Sequence, residues 1–403
     1  MMQWAEKRTR PAAPNYPLTT GLLVWCGLVV VSSLYITLPM VSVFAGAFHA
    51  SPDMAAWTSS AFSLAYGAGG LLFGPVSERY GRKHTILWGL AALAFITVLM
   101  GFAANLPELI AFRAVQGLAA ATFAPSALAY IGETYPAEKR VTTVGFVSTG
   151  FLVAGIAGQL FSSVVNGLLT WSYVFYFLGA LYLLSAVLVG AFVPKGEPRR
   201  SPATVLAFFK QMGTVSFQRS LSVCYLIAVT LLFSFVGMYA VLGTYLSHAP
   251  FALNANQIFA VRALGAIGMI CSPFAGRLVA KYGMEEMLRA GLALAAAGLA
   301  AVGMSSSLAV SIVMSVVFVA GISLTVPTLI SMVGSIAGDA RGAAITLYMF
   351  VLFVGATLGP IVALALLKTG SYMLTYEALA AVLALAFAAT FFVPDRKRKE
   401  ASR

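Results

Sequence analysis

The sequence predicts an all-α membrane protein whose twelve transmembrane helices form two pseudo-symmetric six-helix bundles. Three observations predict it: an apolar composition, uncharged runs of spanning length, and basic residues gathered in alternate loops. Of 403 residues, 60% are hydrophobic and 9% are charged, with a mean hydropathy of +0.91. A water-soluble domain carries roughly 25% charged residues, so lipid must solvate the exterior. At about 20 apolar residues per spanning helix, the length accommodates twelve spans with short connections. The strict apolar–polar alternation of an outer-membrane barrel is missing.

Charges and turn residues set the elements in order. Span one, 20–48, follows Lys7, Arg8 and Arg10 and contains an uncharged run from Gly21 to Phe48, too long for a signal-peptide core. Span two, 54–76, ends before the charged loop at Glu78 to Lys83, and span three is 83–103. Span four, 107–131, holds an arginine, Arg113. The uncharged stretch 141–194 suits two spans, 140–163 and 171–193, with a turn at Asn166 to Trp171. Spans seven and eight are 218–247 and 255–279. The uncharged stretch 290–338 divides at Gly303 to Ser307 between spans nine, 287–303, and ten, 308–335. Spans eleven and twelve are 341–367 and 372–393.

A cytoplasmic N-terminus places 22 of the 25 basic residues on the cytoplasmic side; only Arg113, Arg262 and Lys368 remain. By the positive-inside rule both termini are cytoplasmic, in a bacterial inner membrane. The net charge of +12 is therefore a record of orientation. It does not form a face interleaved with aromatics, so no nucleic-acid partner is expected. Cys26, Cys224 and Cys271 lie in apolar runs without ligand spacing, and no metal is expected.

Residues 194–217 contain a breaker-rich Lys-Gly-Glu-Pro-Arg-Arg-Ser-Pro segment that reads as a linker. It separates an N-terminal bundle, 1–193, from a C-terminal bundle, 218–403. The halves repeat each other. Gly74, Tyr80 and Gly81 match Gly276, Tyr282 and Gly283 at an offset of 202, as Pro125 matches Pro327. Arg140 and Arg341, like Gly158 and Gly359, are 201 apart. Parallel six-span repeats are a transporter signature.

The loop Gly74-Pro-Val-Ser-Glu78-Arg79-Tyr-Gly81-Arg82-Lys83 joins a helix-packing glycine, a turn glycine and paired basics. It resembles the loop signature of the major facilitator superfamily, with Glu where that family usually has Asp. The resemblance implies that Glu78 latches the cytoplasmic ends of the two halves, received by Arg140 or by the helix start near Arg341. Plain positive-inside anchoring explains Arg82 and Lys83 but not the glycine spacing.

Arg113 lies about 9 Å into span four at 1.5 Å per residue. Facing lipid there costs at least about 3 kcal/mol, so it is expected to face the cavity between the halves, with Gln116 at i+3 beside it. The bland alternative is an arginine snorkelling to the external headgroups. Arg113-x-x-Gln116-Gly117 resembles the span-four motif of proton-coupled drug antiporters in that superfamily. Span five carries Gly145, Gly150, Gly155 and Gly158, and span eleven carries Gly355, Gly359 and Pro360. Both resemble the superfamily's exporter glycine–proline motif, which implies close packing that seals the outer gate. Gln159 stands where that motif has proline.

Arg262 in span eight either anchors substrate or stays at the external surface. Tyr35 and Tyr239 lie at mid-depth in spans that line the cavity in the superfamily. His49 and His248 sit at outer helix ends and receive no role. Asp53, Glu108 and Glu377 fall at outer helix ends, and no carboxylate falls at mid-membrane. A substrate that is neutral, zwitterionic or anionic is therefore expected, with Glu108, Asp53 or Glu377 carrying any coupled protons.

No enzyme motif and no nucleotide loop occurs, so neither catalysis nor a cofactor is expected. The resemblance implies a monomeric secondary transporter in the lipid bilayer, exporting a metabolite, metallophore or drug against protons. An importer or facilitator of an organic anion is the alternative. A receptor or assembly factor that does not transport would carry an extra domain, which the short loops and tails do not supply.

Overall fold

The computed structural model describes residues 15–195, 205–248 and 251–392. They are helical throughout, and no strand occurs among them. Span one is α1 (Tyr16–Ser32) and α2 (Val41–Ala47), span two is α3 (Pro52–Tyr80) and span three is α4 (Arg82–Met100). Span four is α5 (Leu106–Ala120) and α6 (Phe123–Thr134); spans five and six are α7 (Ala137–Leu168) and α8 (Trp171–Phe192). After α9 (Val205–Ser216), span seven is α10 (Arg219–Ser247) and span eight joins α11 (Ala255–Gly265) to α12 (Ala275–Tyr282). Spans nine to twelve are α13 (Met284–Met304), α14 (Leu308–Ile336), α15 (Arg341–Leu367) and α16 (Tyr372–Ala389). Ten traverses among the described residues are long and apolar enough to cross a membrane; the divided span one and α3 complete twelve.

Three spans expected as continuous helices are interrupted, each near a proline. In span one the chain leaves α1 through tight i to i−3 turns at Ser33, Leu34 and Tyr35. Pro39 follows, lacking an N–H and clashing with the carbonyl four residues back. Span four breaks at Ala121–Thr122, four and three residues before Pro125. Span eight tightens to a 3-10 helix over Ala266–Phe274, which contains Pro273.

The linker also differs from expectation. Part of it, 196–204, lies outside the described residues, but the remainder forms α9. Phe208 and Met212, one turn apart, pack with Ala343, Leu71 and Leu347. The helix therefore lies against both α3 and α15.

Helix pairings repeat at an interval of six spans. α1 packs on α7 as α10 packs on α15, and α4 packs on α8 as α13 packs on α16. The turns after spans two and eight match as well: Gly81 has φ 93° and Gly283 φ 91°, a region that only glycine enters without strain. Contacts between the halves link α3 and α6 to α15, and α7 to α12, α14 and the 266–274 segment. They lie toward the face that bears the Gly74–Lys83 loop, here termed the basic face.

Candidate functional site

Arg113 is completely buried, and its surroundings explain how α5 tolerates it. Nε donates to the Thr58 carbonyl at 2.8 Å, and Nη2 to the Ser33 carbonyl at 2.9 Å and to Thr37 Oγ1 at 3.3 Å. Nη1 donates to Gln116 Oε1, whose Nε2 in turn donates to Thr97 Oγ1 at 2.8 Å. The Phe62 ring lies 4.3 Å from the guanidinium carbon. With no carboxylate beside it among the described residues, the charge is held by oriented dipoles and a ring face. Ser33 can accept because its carbonyl is released where α1 ends. This corrects the expected location. Arg113 and Gln116 do not line the central cavity; they stitch the broken span one to spans two, three and four.

The cavity lies between the halves and encloses about 1140 Å³ with its mouth. The first half contributes Tyr35, Tyr66, Ser148, Phe151 and Gln159, and the second Phe235, Tyr239, Arg262, Met269 and Phe353. Tyr35, Tyr239 and Arg262 all belong to the cavity wall. Arg262 is half-buried and donates from Nη2 to the Tyr239 carbonyl at 3.1 Å. Tyr66 meets Phe353 edge-on across the halves, centroids 4.9 Å apart. Beyond this pair, toward the basic face, the halves are in direct contact: Ser272 Oγ donates to the Gly145 carbonyl at 2.9 Å.

On the basic face the buried Arg82 collects ligands from two spans. It donates to Glu133 Oε1 at 2.8 and 3.1 Å, to Ser77 Oγ at 2.5 Å and to the Gly74 carbonyl at 3.4 Å. Glu78 Oε2 is 3.7 Å from Arg82. The same oxygen lies 2.6 Å from where a Cβ on Gly342 would stand, against the first turn of α15. Arg140, by contrast, donates to its own neighbour, the Tyr135 carbonyl, at 2.8 Å. Lys83 caps the Gly190 carbonyl at the end of span six at 2.9 Å, and Arg79 is exposed beside Tyr80. Gly74 faces Thr346 and Phe208 of the opposite half and the linker helix. Glu133 and Phe208 were not foreseen, because nothing in their local sequence marks a tertiary partner.

Apart from Gly145, which meets Ser272 of the other half, the glycine stripes work inside each half. A Cβ at Gly150 or Gly158 would lie 2.8 Å from the Val24 carbonyl or 2.7 Å from the Ser32 carbonyl, so α7 packs backbone-close on α1. Gly355 and Gly359 leave the same room for the Val229 and Phe233 carbonyls of α10. Pro360 sits within α15 without breaking it. Gly155 meets only the Tyr35 ring, at 3.6 Å. Of the outer acids, Glu108 closes a capping box with Asn105 and accepts from Ala104 N at 3.0 Å. Glu377 has one buried oxygen with no hydrogen-bond partner among the described residues. The side chain of Asp53, on α3, lies outside the described residues.

The family model described as Major Facilitator Superfamily matches residues 23–338 and 221–403. The uncharacterized MFS-type transporter YceJ of Bacillus subtilis (strain 168) is 28% identical over 344 residues, covering 83% of this chain and 85% of that protein. Multidrug resistance protein 3 of Bacillus subtilis (strain 168) is 33% identical over 134 residues, 32% of this chain and 26% of that protein. Among solved structures, the human organic anion transporter MFSD10 aligns with a TM-score of 0.75 at 17% identity, over 94% of this chain and 100% of that one.

Proposed function

The chain belongs to the Major Facilitator Superfamily, and on that premise we propose that it is a proton-coupled exporter of a small organic molecule, working by alternating access as a monomer. It is a multi-pass membrane transporter; the bacterial relatives and the basic-loop skew support the inner membrane with both termini cytoplasmic. The observation that carries the reading is the position of the cavity. It lies on the far side of the contacts that join the halves at the basic face; with that face cytoplasmic, as the basic-loop skew supports, the cavity opens outward.

On this reading Glu78 and Arg341 hold the cytoplasmic ends of the halves together in the outward-facing state, braced by the Arg82–Glu133 pair within the first half, and the cavity receives or discharges the substrate. Rocking one half against the other would break those contacts and expose the cavity inward. The substrate carries no net positive charge, since the described cavity wall has an arginine and no carboxylate. Glu377 is the favoured proton carrier, because its buried oxygen lacks a partner whereas Glu108 is engaged in capping.

A second reading, import of an organic anion, is favoured by Arg262 in the cavity wall; the neighbour MFSD10 is itself described as an organic anion transporter. Flux into proteoliposomes of known orientation separates the two. Export expects substrate to accumulate in inside-out vesicles as internal protons leave. Accumulation in right-side-out vesicles, driven by protons entering with the substrate, overturns export in favour of import.

A further inference from the structure

Arg113 and Arg262, both set among the helices, are held in opposite ways. Arg113 gives its N–H groups to four acceptors and lies over a ring. Arg262 has one acceptor among the described residues, the Tyr239 carbonyl, and its buried Nε has none. A guanidinium carries five donors, and leaving them unmet at membrane depth is costly. Arg113 is therefore complete as a structural tie, whereas Arg262 stands incomplete in the wall of a cavity.

Other lining groups share this state. The hydroxyls of Tyr239, Tyr66 and Ser148 are buried and have no partner among the described residues. Tyr239 stands beside Arg262 on the second half, while Tyr66 and Ser148 belong to the first. Every unmet group can donate a hydrogen bond, and the described wall contains no Asp or Glu to receive a cation. The remaining surface is largely apolar and aromatic, with Phe151, Phe235 and Phe353 prominent.

We propose that this cavity binds an amphipathic organic monoanion, with Arg262 and the Tyr239 hydroxyl taking the negative group and the aromatic wall taking a flat apolar body. The inference rests on the transporter reading above and narrows its substrate class. A single cation in the wall matches one negative charge. A second negative charge would be desolvated without a partner, and an ammonium group would meet Arg262 with nothing to neutralise it. A neutral analogue keeps the apolar contacts and loses the charge-assisted hydrogen bonds, which are the stronger kind.

The test uses three probes with one apolar body: 2-naphthoate, 2-naphthamide and 2-naphthylmethylammonium. Each is titrated calorimetrically against the full-length protein in lipid nanodiscs, which hold no gradient. Naphthoate is expected to bind about tenfold or more tighter than the amide, with the ammonium weakest. Arg262→Gln should lower naphthoate affinity to that of the amide and leave the amide unchanged. Arg262→Lys keeps the charge and should keep the preference for the anion. Melting temperatures of the ligand-free variants check folding; if Arg262→Gln does not fold, the native probe series and Arg262→Lys decide.

The proposal is overturned if the ammonium binds as tightly as the naphthoate, or if naphthoate shows no saturable binding to the native chain. It is also overturned if a folded Arg262→Gln protein keeps the full preference. Transport is judged separately in proteoliposomes. Selective naphthoate binding without gradient-driven flux sinks the transporter reading and leaves the site. Gradient-driven flux of a cation without naphthoate binding does the reverse.

Discussion

Arg341, the first residue of α15, donates from Nη1 to the carbonyl oxygen of Gly132 at 2.5 Å and from Nε to that of Gly334 at 2.9 Å. Gly132 lies in the last turn of α6 and Gly334 in the last turn of α14, where carbonyls have no partner within the helix. One guanidinium thus satisfies two helix ends, and one of them belongs to the opposite half.

Arg341→Gln should therefore loosen the basic face. A hydrogen bond from a charged group is worth about 1.5–3 kcal/mol, enough to shift the closed-to-open ratio by about tenfold or more. Spin labels at exposed Lys139 and Lys281, one in each half, should report a longer distance population. An unchanged distribution in a folded variant contradicts this.

Glu78→Gln should act in the same direction but more weakly. The carboxylate faces the first turn of α15, and such charge–dipole contacts contribute about 0.3–2 kcal/mol. Gly342→Ala should reproduce the effect sterically, since the new Cβ would stand 2.6 Å from Glu78 Oε2 and 2.9 Å from Arg82 Nη2. The same label pair checks both variants, and a larger shift from Glu78→Gln than from Arg341→Gln would invert the assigned order.

Arg113→Ala is expected to cost stability before it costs recognition. It orphans the Thr58 and Ser33 carbonyls and Gln116, at about 1–3 kcal/mol for each unmet group. The melting temperature of the purified protein should fall by several degrees, with Arg113→Lys recovering part of the loss. Ligand affinity of the protein that remains folded should stay within about threefold of native, in contrast to the Arg262 variants.

Two glycines of α7, Gly155 and Gly158, should behave differently. Gly158→Ala forces a methyl group to 2.7 Å from the Ser32 carbonyl and should separate α7 from α1, lowering both yield and melting temperature. Gly155→Ala places its methyl at 3.6 Å from the Tyr35 ring, an ordinary contact, and should be tolerated. Expression level and thermal melts of the pair suffice; equal damage from both would refute the packing account.

Much of this architecture is legible in the residues because the membrane makes rules that act locally. Uncharged runs must be helices that satisfy their own backbone, so the spans could be placed one by one. Glycine periodicity foretold close packing at Gly158 and Gly359, and the internal repeat singled out Arg341 beside Arg140. What stayed hidden depends on three-dimensional closure. Arg113 was expected in the cavity because its cost in lipid is evident, but the Ser33 carbonyl that helps hold it is released only where span one breaks. Glu133 lies 51 residues from Arg82, and no spacing rule connects them. Phe208 lies in a segment whose charges and prolines suggested only a tether.

The matching turns at Gly81 and Gly283 have a further consequence. Of the four charged residues at the first turn, Glu78 and Arg82 correspond 202 residues later to Ala280 and Met284, whereas Arg79 and Lys83 correspond to the charged Lys281 and Glu285. The second copy has kept the bend and lost the trigger. Redundancy between the copies is therefore gone at this point. Mutational damage to the polar ends of the bundle should be lopsided, concentrated in one loop and buffered in its twin. One half carries the charged contact at this turn and the other carries only the bend.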